Sequence, residues 1–149
     1  MEFYYLAEPP GADGSVRFDA DESRHIVRSK RHRAGDRVRA VDGRGREYLV
    51  ELSETGGRVV LGRALDSSPA GGEPAVSLTL AQGVLKGDHL AEVVSAATQL
   101  GAMRILPFRS ARTVGACGRA RVERLRKVAL EAMKCSRRAV WPGVGEPVE

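Results

Sequence analysis

The side chains of this chain best placed to do chemistry are its cations, and they are bunched. Residues 24–46 hold nine Lys and Arg against Asp36 and Asp42, and residues 104–138 hold eleven against Glu123 and Glu131. Residues 1–72 balance at 12 basic and 12 acidic groups while 73–149 carry 12 and 7, so the formal charge of +5 arises in the second part. Two basic patches in a chain of pI about 9.7 point to a polyanionic partner, because each neutralised phosphate releases condensed counterions. A solvated helix face would account for one such patch; two, one on each side of a composition break, weigh toward nucleic acid. In the first patch His25 and Arg28 fall at i and i+3 of a short helix with Lys30 and Arg31 following, a spacing that can set several cations against phosphates. His25 sits beside Ile26 and Val27, so packing on a core is its alternative role. Lys86, in Lys86-Gly87-Asp88, can reach the same kind of partner, although that turn is also accounted for as a helix start.

Other chemistries find little support. Gly83 and Gly87 bracket a turn without the glycine, lysine and hydroxyl order of a phosphate loop. Cys117 and Cys135 form no Cys-x-x-Cys pair, and with histidines only at 25, 32 and 89 no metal spacing exists, so free thiols and no metal site are expected. Cys135 reads as a small apolar group rather than a nucleophile, and Phe108 and Trp141 as packing residues. Aromatics at 5% make base stacking on exposed rings an unexpected mode of contact.

The elements that must carry these cations follow from periodicity. Short strands alternate with glycine turns over Phe3–Leu6, Val16–Phe18, Arg37–Val41, Glu47–Leu52 and Arg58–Leu65, a small β-barrel pattern. One helix interrupts it, from Asp19 or Asp21 to about Arg31. Ser67 to Pro74 has the composition of a flexible linker. The expected organisation is therefore a barrel at 1–70, a linker at 71–75 and a second domain at 76–149. That domain opens with an alternating strand, Val76 to Ala81, then Gln82-Gly83 and a helix for which Asp88 is the expected N-cap. Leu90, Val93, Val94, Ala97 and Leu100 give that helix one apolar face, and Gly101 suits the left-handed position past its end. Arg104–Phe108 follows as a strand parallel to the first, and a last helix runs from about Ala120 to Ser136. The class is α+β, with an α/β second part that looks like half of a parallel sheet. Such sheets are normally covered on both faces and have more than two strands, so the second domain reads as truncated.

At 149 residues with 42% hydrophobic content the chain can bury a core. No apolar run approaches the roughly 20 residues of a membrane span, and Met1 to Tyr5 lacks the pattern of a signal peptide. A cytoplasmic protein without membrane contact is expected.

The ordered residues also resemble a known family. His25-Ile26-Val27-Arg28 with Lys30-Arg31, then Gly35-Asp36, Asp42-Gly43, Lys86-Gly87-Asp88, Gln99-Leu100-Gly101, Ser110-x-Arg112-x-Val114 and Lys134-x-Ser136-x-Arg138 resemble the RsmE family, the 16S ribosomal RNA (uracil-N3)-methyltransferases. The likeness runs from about residue 3 to 149 and rests on order and spacing together. It implies an N-terminal PUA-like RNA-binding barrel followed by a SPOUT domain tied into a trefoil knot. It also implies S-adenosylmethionine held in that knot, a homodimer, and the small ribosomal subunit as partner.

The Gly-Pro-Glu-Gly-Gly and Leu-Arg-x-Glu-Thr-Ala stretches of the family's knot do not occur in these 149 residues. The resemblance thus implies the first half of the SPOUT domain, no cofactor-binding residue here, and a chain silent in catalysis by itself. The family's first SPOUT helix carries a lysine where Ala96 stands and a glutamate where Gln99 stands; Ala111 and Cys135 are further departures. On the same likeness Arg112 and Arg138 are candidates for phosphate or base contact, Lys134 and Ser136 accompany them, and no catalytic residue is assigned. A non-enzymatic RNA-binding module is the alternative.

Overall fold

The computed structural model describes residues 3–113 and 116–148, which form two compact units, Met1–Gly71 and Gly72–Glu149. In the first, strands β1 (Tyr4–Tyr5), β2 (Ser15–Arg17), β3 (Arg37–Val41), β4 (Arg46–Glu54) and β5 (Leu61–Pro69) make one sheet in the order β1-β3-β4-β5-β2. β1 runs parallel to β3, and the other pairs are antiparallel. The period-two alternation of β4 sends Tyr48, Val50 and Leu52 inward, where they meet Val38 and Ala40 of β3 and Tyr4, Leu6, Val16 and Phe18. The sheet curls around this core as a half-barrel whose strand order leaves β1 and β2 as edges. Gly62 permits the tightest approach within it, since a Cβ there would lie 2.7 Å from the Glu51 carbonyl oxygen and 2.8 Å from Val50 Cγ1.

The helix that closes the core has two parts. Asp19 caps α1 (Ala20–Arg24) by accepting from the amides of Asp21 at 2.9 Å and Glu22 at 2.8 Å. The chain then widens into a π-helical turn, His25–Ser29, which drives Ile26 into the core and ends with Arg31 in the left-handed region at φ 59°. Ser67, Ser68 and Pro69, whose composition reads as linker, instead close β5 opposite Tyr48, Glu47 and Arg46.

In the second unit β6 (Thr79–Gly83), α2 (His89–Gln99), β7 (Arg104–Phe108), α3 (Arg119–Cys135) and β8 (Gly143–Val144) form a parallel sheet in the order β6-β7-β8. β8 escapes the periodicity argument because it is two residues long. Leu90 and Val94 of α2 and Val122, Leu125 and Ala129 of α3 share one core with Ile105 and Val144, so both helices cover the same face of the sheet. On the other face Thr79, Ala81 and Arg104 are exposed and Leu106 is half-buried. This is what two consecutive crossovers of one hand produce between neighbouring strands.

Asp88 stands at the N-cap of α2 as expected, but its side chain makes no capping hydrogen bond. Its backbone is already close to helical, at φ −91° and ψ −4°, and its carboxylate turns away to Arg124 at 2.9 Å. At the other end Gly101, at φ 100°, completes a Schellman turn in which Ala102 N–H donates to Ala97 O at 2.9 Å. A side chain there would also strike Pro74, whose Cγ lies 2.4 Å from the position of a Cβ.

Candidate nucleic-acid interface

Parallel strands that end together leave a crevice beyond their carboxyl ends, the usual place for a ligand in open α/β sheets. Beyond β6 and β7 such a cleft of about 530 Å³ is lined by Gly83, Val84, Leu85, Lys86, Phe108, Ser110, Arg112 and Thr113. Val84 N–H donates to Phe108 O at 2.9 Å, carrying the strand pairing one step past β6 and fixing the floor. Residues 110–113 form a closed turn: Thr113 N–H donates to Ser110 O at 2.9 Å, and Ser110 N–H donates to Thr113 Oγ1 at 2.8 Å. That turn displays Arg112. Lys86 and Arg112 are both exposed, and among the described residues neither side chain has an ion-pair or hydrogen-bond partner. Among the described residues no carboxylate, histidine or cysteine lines the cleft. It can therefore hold an anion and stabilise developing negative charge, but it offers no strong acid or base. Val114, named with this turn in the sequence motif, lies outside the described residues.

Sequence reasoning missed the residue that holds the cleft in shape. Arg121 of α3 donates from Nη2 to Leu85 O at 2.8 Å and to Gly87 O at 2.6 Å, and from Nη1 to Ala116 O at 2.8 Å. It thus grips the Lys86 turn on both flanks and the segment entering α3. The Arg124–Asp88 pair ties the same turn to the next helical turn. Only an arginine at the first turn of the last helix signals this in the sequence, and nothing there names three carbonyls as its partners. Replacing Arg121 with methionine keeps much of the aliphatic stem and removes all three contacts. We expect faster amide exchange over residues 85–88 and a fall of about 1–3 kcal/mol in stability, read by hydrogen exchange and thermal melting.

In the Lys134-x-Ser136-x-Arg138 motif, expected at the RNA, Lys134 and Arg138 are buried and Ser136 is half-buried, and all three are engaged with partners in their own unit. Lys134 is buried and pairs with Glu131 at 2.8 Å. Ser136 Oγ donates to Ala132 O at 2.7 Å within its own helix. Arg138 is 6% exposed, and its guanidinium meets Glu73 through Nε at 3.0 Å and Nη2 at 2.6 Å, Thr98 O at 2.7 Å, Ala102 O at 2.8 Å and Met103 Sδ at 3.4 Å. Those contacts occupy all the N–H donors that a guanidinium has, so none is left for a phosphate. Glu73 also accepts from the amides of Ala139 at 2.9 Å and Val140 at 3.0 Å. The supposed linker at 71–75 is therefore anchored at its centre. Burial pushes the Glu73 carboxyl up, but the Arg138 hydrogen bonds, the two amides and the Arg138 charge outweigh it and hold the group below its ordinary value.

The N-terminal candidates lie together in the other unit. Arg28, Lys30 and Arg31 are exposed on and after the π-helical turn. His25 is half-buried with its ring 5.9 Å from Tyr4, the packing alternative stated for it.

Comparison with known proteins agrees with both units. Residues 18–62 match the RNA methyltransferase PUA domain, and residues 72–149, more than half of the chain, match the RNA methyltransferase domain. The ribosomal RNA small subunit methyltransferase E of Bacillus subtilis is 30% identical over 128 residues, covering 83% of this chain and 50% of that protein. The chain belongs to the RsmE-type RNA methyltransferase family. It spans about half the length of the curated relative it matches. The fold of the family is seen in the methyltransferase E of Neisseria gonorrhoeae bound to S-adenosyl methionine, with TM-score 0.90 and 22% identity over 99% of this chain and 61% of that one. A probable rRNA-methyltransferase of Porphyromonas gingivalis superposes with TM-score 0.83 at 25% identity, over 99% of this chain and 61% of that one. No described helix of this family member is long and apolar enough to cross a membrane.

Proposed function

We propose that these residues form the RNA-holding part of an enzyme that methylates N3 of a uridine in small-subunit ribosomal RNA. The observation that carries this reading is the Lys86–Arg112 cleft, two cations without a partner and no carboxylate, histidine or cysteine in the lining among the described residues. Methylation at N3 requires the N3 proton to leave, and the resulting negative charge spreads onto O2 and O4 of the base. A guanidinium or ammonium beside those oxygens lowers the cost of that charge, and a fixed base is not needed if the proton passes to water. Lys86 and Arg112 would hold the base or its flanking phosphates.

The same lining does not fit S-adenosylmethionine. A sulfonium set beside Lys86 and Arg112 with no facing carboxylate is repelled. We therefore place the methyl donor outside this cleft and assign none of its contacts to these residues, so that the 149 residues alone hold RNA without transferring methyl. The homodimer and the cytoplasmic setting implied by the resemblance belong to the same proposal and rest on the resemblance alone. Calorimetric titration of S-adenosylmethionine into the 149-residue chain, alongside binding of a small-subunit RNA fragment at several salt concentrations, tests the reading. No donor heat together with RNA binding that weakens steeply with salt is expected. Saturable donor binding would show a pocket that this reading denies, and RNA affinity indifferent to salt would remove the phosphate contacts.

A further inference from the structure

Phe108 and Trp141, both expected to pack, part ways in the structure. Trp141 lies against the core shared by α2 and α3 and donates from Nε1 to Arg126 O at 3.2 Å. Phe108 does not belong to that core, although Ile105, Val84 and Leu85 do. Alternation along β7 accounts for this: Ile105 and Pro107 are buried on the helix side, and Phe108 falls with Arg104 and Leu106 on the opposite face.

The Phe108 ring lies half-buried in the cleft at the carboxyl ends of β6 and β7, and it is the one aromatic group of the lining among the described residues. Its bed is Gly83, the residue opposite it across the strand pair, where a Cβ would stand 3.6 Å from Phe108 Cζ and 3.9 Å from Cε2. A methyl group would fit there, but a longer side chain would begin to cover the ring. The backbone beneath is fastened on both sides. Val84 N–H donates to Phe108 O at 2.9 Å, Arg109 N–H donates to Val148 O at 2.8 Å, and Val148 N–H donates to Pro107 O at 3.1 Å. No other ring among the described residues stacks on Phe108.

Cations alone attract a phosphate as readily as a base. A benzene ring adds attraction for a flat, polarizable group and little for a phosphodiester. N3 of uridine is on the pairing edge, so a methyl group reaches it only when the base is out of its pair, and an extruded base needs a substitute for the stacking it has lost. Phe108 supplies that face, and Lys86 and Arg112 in the same lining supply positive charge for O2 and O4.

We infer that Phe108 is the stacking platform for an unpaired uracil, so that the Lys86–Arg112 cleft receives a base rather than a flanking phosphate. The inference rests on the proposed RNA-holding function and narrows it, and its test separates the two. Phe108→Leu keeps apolar bulk and removes the flat face, whereas Phe108→Tyr keeps the face. Each is compared with the wild-type chain in binding a small-subunit RNA fragment, intact or with one uridine at a time replaced by an abasic nucleotide, between about 50 and 200 mM salt. Phe108→Leu should weaken binding of the intact fragment by about tenfold. Its log–log salt slope should match that of the wild type, because no phosphate contact is lost. Phe108→Tyr should bind like the wild type. At one uridine position the abasic change should bring the wild type down to the level of Phe108→Leu and cost the leucine variant nothing more. Steeply salt-dependent wild-type binding that Phe108→Leu leaves unchanged overturns this inference alone. So does a leucine loss that is the same on the intact fragment and on every abasic one, since the ring would then act through the fold. Wild-type binding that is absent or flat with salt overturns the RNA-holding function and the stacking role with it.

Discussion

Substituting Glu73 by glutamine is expected to destabilise the second unit by about 3–5 kcal/mol, because it leaves the buried Arg138 guanidinium without its counter-charge. At about 4–8 °C per kcal/mol for a unit of this size, the melting temperature should fall by more than about 10 °C. The consequence is structural as well as energetic. Glu73 holds Arg138, whose Nη1 in turn donates to Thr98 O and Ala102 O at the end of α2, and it accepts from the chain leaving α3 at Ala139 and Val140. Replacing both partners, as Glu73→Gln/Arg138→Met, should cost less than the sum of the single changes, since no lone charge remains buried. The pair also sets a pH dependence. The folded carboxyl lies below its ordinary value of 4.5, so the unfolded chain takes up the proton first as pH falls. The contribution of the pair is therefore complete at neutral pH and is lost as pH drops below that value through the lower folded one. Thermal melts of wild type and Glu73→Gln should converge at acid pH; a constant gap down to pH of about 3 would contradict the assignment.

The second large effect is on binding. The Lys86→Ala/Arg112→Ala double variant should weaken small-subunit RNA binding by about tenfold per residue, about a hundredfold together, since each charge-assisted contact is worth about 1.5–3 kcal/mol and exposure reduces it. Lys127→Ala, which takes one exposed charge from α3 away from the cleft, should cost no more than about threefold. Equal losses from the two changes would mean that the overall field, not the cleft, holds the RNA. Both residues project from turns at the surface, so melting temperatures should be unmoved.

Much of this architecture is legible in the chain itself because its signals are local. The apolar spacing of Leu90, Val93, Val94 and Ala97, and of Val122, Leu125, Val128, Ala132 and Met133, marks both long helices, although Leu100, read with the first face, is exposed; the parallel pairing of β6 with β7 follows from the crossover rule. Hidden from sequence is whatever depends on distant partners. Arg121 and Arg138 read as members of one basic run, yet the first is spent on carbonyls 34 and 36 residues away and the second on a carboxylate 65 residues away. A run of eleven cations over residues 104–138 therefore overstates the surface charge available to RNA. Arg112 and Lys86 stand out in the sequence by motif position, and only the turns that carry them bring both to one cleft. Ser67 to Pro74 misleads in the opposite sense: its composition is that of a linker, but its first three residues extend a strand and Glu73 is a buried ion-pair partner.

Photo-crosslinking decides whether RNA is held at the carboxyl ends of β6 and β7. A small-subunit RNA fragment carrying 4-thiouridine at single positions would be irradiated with the chain and the adducts mapped by mass spectrometry. At least one uridine position should crosslink within residues 83–86 or 108–113, with the adduct lost in the Lys86→Ala/Arg112→Ala variant. Adducts confined to other surfaces, with none at the cleft for any uridine, would contradict it.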